Sequence, residues 1–187
     1  NKYATVTYWS LSKYSIASFF IKNLTEGMND VTITSTHDDI ILDLMYKVEG
    51  ETNWTKLEFV NRKASFRIKP RKKVYLKGNN KSTSKNSLIY NTITASKDFA
   101  IGGNLNKLLS NTTNLGKDNK NAFAYLFRNN VNLKNIDELI LPSKSLSESC
   151  YESLFDGCTS LINVPEGLLP ATNLAKRCYH SMLRHCK

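Results

Sequence analysis

Ten basic side chains fall between Asn61 and Lys85 with no acidic residue among them: Arg62, Lys63, Arg67, Lys69, Arg71, Lys72, Lys73, Lys77, Lys81 and Lys85. A concentration of one charge sign attracts anionic chains and raises their local concentration. The chemistry on offer is therefore capture of an acidic glycan, a phosphate-bearing surface polymer or nucleic acid, with Arg62, Lys63, Arg67, Lys69, Arg71, Lys72, Lys73 and Lys77 as the candidate anion-binding residues. Phe66, Ile68, Val74, Tyr75 and Leu76 interrupt the charges at strand spacing, which is also how a half-buried sheet with one solvated face looks. No recognition helix, zinc finger or RNP-type aromatic motif accompanies the run, so specific nucleic-acid binding is not expected. Trp54 offers a ring for carbohydrate stacking or, more simply, for cross-strand packing.

The other reactive residue types cluster at the C-terminal end. Four cysteines, Cys150, Cys158, Cys178 and Cys186, are an even number and admit a disulfide framework. If Cys150 and Cys158 share a helix, eight residues at 1.5 Å each separate them by roughly 12 Å, too far to bridge. Reduced, mostly buried structural thiols are expected instead. Cys178, His180, His185 and Cys186 meet no metal-site spacing, and no metal or cofactor is expected. His37 beside Asp38 and Asp39 reads as a turn, and no Ser or Cys nucleophile stands in a recognisable motif, so no enzyme is expected.

What positions these residues is a repeat at an uninterrupted offset of 28 residues in the last third of the chain. Phe123, Leu126, Phe127, Asn130, Leu133 and Leu141 align with Tyr151, Leu154, Phe155, Cys158, Leu161 and Leu169, while Cys150, Tyr151 and Cys158 align with Cys178, Tyr179 and Cys186. At about 100° per residue, Leu146, Cys150, Tyr151, Leu154, Phe155 and Cys158 share one side of a helix, with Glu148, Ser149, Glu152, Ser153 and Asp156 opposite. Leu174, Cys178, Tyr179, Met182, Leu183 and Cys186 repeat the inward side. The apolar stretches 133–137 and 161–165 then read as brief strands. A helix plus a short strand per unit is the leucine-rich-repeat plan, with Asn130, Cys158 and Cys186 at the ladder position. Across units Arg128, Asp156 and Arg184 are equivalent, as are Glu148 with Lys176 and Glu152 with His180, an alternation that would fix alignment through exposed pairs.

Before the repeats the period is two. Runs at Val31, Leu57, Phe66, Val74 and Leu88 are parted by turn-forming clusters, which argues for a small antiparallel sandwich. Residues 45–57 read as a hairpin with Tyr46 and Trp54 as packing residues. Phe99 begins a strand end, Gly102 and Gly103 a turn, and Leu105 a short helix able to cap the repeats. Residues 110–120 form a polar, Asn-rich loop.

The segment 141–161, with its continuation 169–182, resembles the BspA-like leucine-rich repeats of gut Bacteroidales surface proteins, whose units run LPATTLA..CY..MF.GCTSL. The part with Asn53-Trp54-Thr55, Lys77-Gly78-Asn79-Asn80 and Gly102-Gly103-Asn104-Leu105 is similar to the β-domain preceding those repeats, so the likeness runs from about Phe20 onward. Asn130 replaces the usual Cys, and Arg184-His185 the usual turn residue and Gly. The resemblance implies surface exposure and adhesion or ligand binding, with no catalytic residues.

The expectation is thus an α+β chain: a β-sandwich-like domain over 1–100, a linker or cap over 101–120, and about 2.5 leucine-rich repeats over 121–187 forming a solenoid. The expected function is non-enzymatic binding or adhesion to a protein or glycan on a cell surface; a bacteriophage virion component built from the same modules is the alternative, and a polyanion-binding module working through residues 61–85 a further one. No run approaches 18 apolar residues, so no transmembrane segment is expected. A start at Asn1 rather than Met suggests a processed product or a fragment. The repeat pattern stops after Cys186, before a third strand, so the native array is expected to be longer and the open third unit to fray or associate.

Overall fold

The computed structural model describes residues 18–110 and 113–187. The expectation drawn from Asn1, and part of that for the 110–120 loop, lie outside the described residues. Among the described residues nine strands carry the fold: β1 (Phe19–Asn23), β2 (Asn29–Ser35), β3 (Leu44–Val48), β4 (Thr55–Lys56), β5 (Lys63–Ile68), β6 (Lys73–Gly78), β7 (Asn91–Ala95), β8 (Phe99–Asn104) and β9 (Leu133–Ile140). They form a six-stranded sheet in the order β4-β3-β6-β1-β8-β9 and a three-stranded sheet in the order β5-β2-β7. Pairing is antiparallel throughout except between β8 and β9.

The period-two runs at Val31, Phe66, Val74 and Leu88 fall on β2, β5, β6 and β7, because alternate residues turn inward. Phe19, Ile21, Leu44, Val74, Leu76 and Ile101 from the larger sheet share one core with Val31, Ile33, Phe66, Ile68 and Ile93 from the smaller. Tyr46 stacks on Phe66 at 5.6 Å between ring centroids. The 45–57 hairpin pairs Met45 with Lys56 and Tyr46 with Thr55. The run at Leu57 is not a strand: Asn61 and Arg62 both take positive φ and fold Val60 back onto Lys63. Nor do Gly102 and Gly103 form a turn, since both lie within β8.

The leucine-rich-repeat solenoid, and with it the α+β class, is overturned. Among the described residues 34% are strand and 6% helical, with no helix as long as seven residues. The segments read as helices are runs of tight turns. Positive φ recurs every fourth residue, at Asn121, Tyr125 and Asn129, at Ser149, Ser153 and Gly157, and at Arg177, Ser181 and His185. Even-numbered amides bond three residues back, as Ala124 N to Asn121 O at 3.2 Å and Glu152 N to Ser149 O at 3.2 Å. Odd-numbered amides reach across to the next unit, as Phe123 N to Cys150 O at 2.8 Å and Tyr151 N to Cys178 O at 3.0 Å. An α-helix would direct all of them to carbonyls four residues back in the same segment.

Serine and asparagine favour this outcome because their short polar side chains compete with helical backbone bonding and tolerate turn geometry. Inward residues at Cys150, Tyr151, Leu154, Phe155 and Cys158 fit a period of four as well as one of 3.6 over so short a run. Of the brief strands, 133–137 lies within β9, but 161–165 is irregular, with Ile162 and Val164 exposed and only Leu161 buried. Leu174, expected inward, is 64% exposed.

Three turn tiers therefore lie side by side at the repeat spacing. Phe123, Tyr151 and Tyr179 stack at 5.8 Å per step, and Phe127 on Phe155 at 5.9 Å. The first tier abuts the sheets through Phe19 against Phe127 (6.2 Å) and through Thr83 N to Ala122 O and Ile93 N to Leu126 O. In the third tier the carbonyls accept from the second, while the amides of Arg177, Tyr179, Ser181, Leu183 and His185 find no acceptor among the described residues.

Candidate anion-binding face

The structure divides the basic run between two sides of the molecule. Lys63 and Arg67 alternate outward on β5 in the smaller sheet, and Lys73 and Lys77 outward on β6 in the larger. Arg62 sits in the turn before β5, and Lys69, Arg71 and Lys72 in the turn joining β5 to β6, where Arg71 has φ 58. Several charges are already matched: Arg67 with Asp30 (2.6 Å), Arg71 with Glu26 (2.6 Å), Lys72 with Glu49 (3.8 Å) and Lys73 with Glu138 (3.3 Å). Arg62 donates to the Thr36 carbonyl at 2.9 Å. Exposed pairs of this kind contribute about 0 to 1 kcal/mol each, so they hold side chains loosely without making one continuous patch.

What the fold does assemble is the outer face of the larger sheet. Register places Lys47 opposite Tyr75, Tyr75 opposite Phe20, and Phe20 opposite Gly102, which in turn faces Glu138. Directly opposite residues share a face. A side chain at Gly102 would run into the Phe20 ring, so the glycine leaves that ring room to lie flat. One position along, Lys22 is opposite Lys73, and Lys77 is opposite Met45. The lysines lie against the rings: Lys47 Nζ is 5.2 Å from the Trp54 centroid and 5.8 Å from that of Tyr75, Lys77 Nζ 4.4 Å from Trp54, and Lys73 Nζ 3.8 Å from Phe20. Phe20 meets Tyr75 edge to face at 6.2 Å. At the β4 side Lys56 pairs with Asp43 at 2.7 Å, and that bond raises its pKa. A cavity of ≈ 170 Å³ beside Lys77 is lined by Asp43, Met45, Gly78 and Asn79.

Of this set, Lys73, Lys77 and Trp54 were legible as candidates. Lys22, Phe20 and Lys47 were missed because they lie on strands far from β6 in sequence, and Tyr75, between Lys73 and Lys77 on β6, because it was read only as an apolar residue at strand spacing. Each is nonetheless an alternate residue of a β run, which is the signal that could have found them.

The remaining candidates are structural. Asn130 donates to the carbonyls of Ile93 (2.7 Å) and Phe127 (3.0 Å), and the thiols of Cys158 and Cys186 to those of Phe127 (3.1 Å) and Phe155 (3.3 Å). All four thiols are free; Cys150, Cys158 and Cys178 are buried and Cys186 half-buried, and burial pushes Cys150 and Cys158 up to about 12. Such thiols are poor nucleophiles and poor ligands. No group of His, Cys, Asp and Glu able to hold a metal exists among the described residues. His37 caps a short 3₁₀ turn, accepting from Asp39 N at 3.2 Å.

The charge alternation between tiers takes a different form from the exposed pairs expected. Glu152 and Asp156 are 7% and 2% exposed, because four-residue turns bring them between tiers. Asp156 lies between Arg128 (3.5 Å), Arg184 (2.8 Å) and His185 (3.0 Å). Glu152 accepts from Tyr125 Oη (3.1 Å) and Arg177 Nε (3.1 Å), with His180 at 3.7 Å. Glu148, expected opposite Lys176, pairs with Lys120 at 2.9 Å.

Burial pushes the Glu152 carboxyl up, but bonds from Arg177, Ser149 and Tyr125 outweigh it and bring it down to about 2. A carboxyl depressed in the fold stabilises above its unfolded value and loses that contribution as pH falls through the folded one. Stability should therefore decline from about pH 4.5 to about pH 2, by about 1 to 2 kcal/mol from this group once screening around half-exposed Arg177 is allowed for. Urea unfolding of the wild type and Glu152→Gln across that window checks it. An unchanged acid dependence in the variant would contradict the assignment.

No helix among the described residues is long and apolar enough to cross a membrane. Comparison with known proteins finds no matching family model, no matching curated protein and no matching solved structure, which leaves function to be read from the face itself.

Proposed function

We propose that this chain is a non-enzymatic, surface-exposed binding protein whose ligand engages the outer face of the six-stranded sheet. The observation that supports this reading is the gathering of Trp54, Tyr75 and Phe20 with Lys22, Lys47, Lys73 and Lys77 on one sheet face. A sheet face that only met water would not need three aromatic rings, and one that only packed would not carry four lysines. Lys22 stands directly opposite Lys73, whose charge Glu138 meets at 3.3 Å, while Lys22, Lys47 and Lys77 have no ion-pair partner among the described residues. Surface exposure and adhesion are inferred from the resemblance of residues 141–182 to BspA-like proteins.

Retention of the labelled protein on intact cells tests the reading. Lys47→Glu with Lys77→Glu should abolish most retention, whereas Lys63→Glu with Arg67→Glu, on the opposite sheet, should leave it intact. Equal loss from both pairs, or loss only from the second, would reject the larger sheet as the binding face.

A further inference from the structure

We infer that the ligand of this face is an anionic polysaccharide, bearing sulfate or uronate groups, that lies across the strands from Trp54 toward Phe20. The inference rests on the binding role proposed for the same face. Three features select the class. First, the cations form two neighbouring rows: Lys47 and Lys77 beside Trp54, and the cross-strand pair Lys22 and Lys73. Adjacent strands are about 4.8 Å apart, so the charges recur over a distance suited to successive substituents of one chain. Glu138 pairs with Lys73 at the β9 side, and Asp43 with Lys56 at the β4 side, leaving Lys22, Lys47 and Lys77 without an ion-pair partner among the described residues.

Second, Phe20 is only 6% exposed, its ring lying against the position of a side chain at Gly102, so this ring offers no open face on which a base could stack. Third, the ring faces are already covered by ammonium groups of the same protein at 3.8 to 5.8 Å. Single-stranded nucleic acid is held by bases stacking on open aromatic faces, and duplex DNA is read by an element entering a groove. Neither is presented here. Lysine ammoniums are strongly hydrated point charges on flexible stems, able to meet a sulfate or carboxylate beside the rings they cover.

The test uses the full chain carrying Trp9→Phe, which leaves Trp54 as the reporting indole. Titration with heparin and with polygalacturonate should change Trp54 emission, binding should weaken steeply with added salt, and neutral dextran should have no effect. Lys47→Ala with Lys77→Ala should weaken heparin binding about tenfold or more, and Lys63→Ala with Arg67→Ala less than about twofold. These side chains are on the surface, and an unchanged unfolding midpoint confirms that the variants fold. Oligothymidylate binding as tightly as heparin would overturn the polysaccharide assignment. So would failure of both polysaccharides when cell retention still depends on Lys47 and Lys77, which would leave the face reading standing. Heparin binding that depends on Lys63 and Arg67 instead would overturn the face itself.

Discussion

Tyr151→Ala should destabilise the protein by about 3 to 5 kcal/mol, the range for removing a fully buried aromatic side chain. Tyr151 is 0% exposed and lies between two rings, Phe123 and Tyr179, each stacked at 5.8 Å. Truncation empties a space bounded by both neighbours, and neither can move in without breaking the backbone bonds on either side, Phe123 N to Cys150 O and Tyr151 N to Cys178 O. Those bonds fix the tier spacing, so the cavity should persist rather than collapse. Tyr151→Phe keeps the ring and should retain most of the stability. Denaturant unfolding of both variants settles the matter; a loss below about 1 kcal/mol for the alanine variant would mean that the tiers re-pack freely.

Gly103→Val should be at least as disruptive, through a different mechanism. Gly103 has φ 74, a conformation that a β-branched residue adopts only under strain. A side chain there would also run into the Ser18 carbonyl and approach the Phe19 Cα at the start of β1. Strain and overpacking each cost about 1 to 3 kcal/mol, and both fall where β1 joins β8 in the middle of the larger sheet. The expected result is loss of cooperative unfolding or a drop of about 3 kcal/mol or more. Gly50→Ala serves as the control for positive φ alone, since Gly50 has φ 90 with nothing near its α-carbon substituent position. Comparable effects at both positions would remove the contact with β1 from the explanation.

How far these features were legible in the sequence depended on period. Where polar and apolar residues alternate, as in Val31-Thr32-Ile33-Thr34 and Phe66-Arg67-Ile68, the strand and its inward face follow from the pleat. The repeat offset was also legible, because stacked rings leave aromatic residues, and laterally paired charges leave residues of opposite sign, 28 positions apart. What the offset did not disclose was the local conformation. Cys150, Leu154 and Cys158 at spacings of four satisfy a helix and a train of four-residue turns alike, and the difference lies in the φ of Ser149 and Ser153.

Nor was the burial of several asparagines legible: Asn23, Asn29 and Asn91 are buried and donate to main-chain carbonyls of neighbouring segments, as Asn23 does to Gly27 (2.7 Å) and Asn91 to Ile40 (2.7 Å), whereas Asn130 was expected at the ladder position. Buried amides of this kind carry no periodic signature. The candidate face was half visible: Lys73 and Lys77 stood in the basic run, but only the β3-β6-β1 order sets them beside Lys47, Phe20 and Lys22.

The unpaired rim of the third tier differs in kind from an ordinary strand edge. A strand edge offers donors and acceptors in alternation, which makes it a template for a second copy of itself. Here the amides of Arg177, Tyr179, Ser181, Leu183 and His185 all point outward while the carbonyls of Lys176 through Arg184 are bonded within their own turns or to the second tier. Two such rims brought face to face would set donor against donor. At the opposite end of the stack, Ala122 and Leu126 have already given their carbonyls to Thr83 and Ile93. The described part of the stack is thus directional, its third tier presenting donors and its first tier bonded to the sheets through the carbonyls of Ala122 and Leu126.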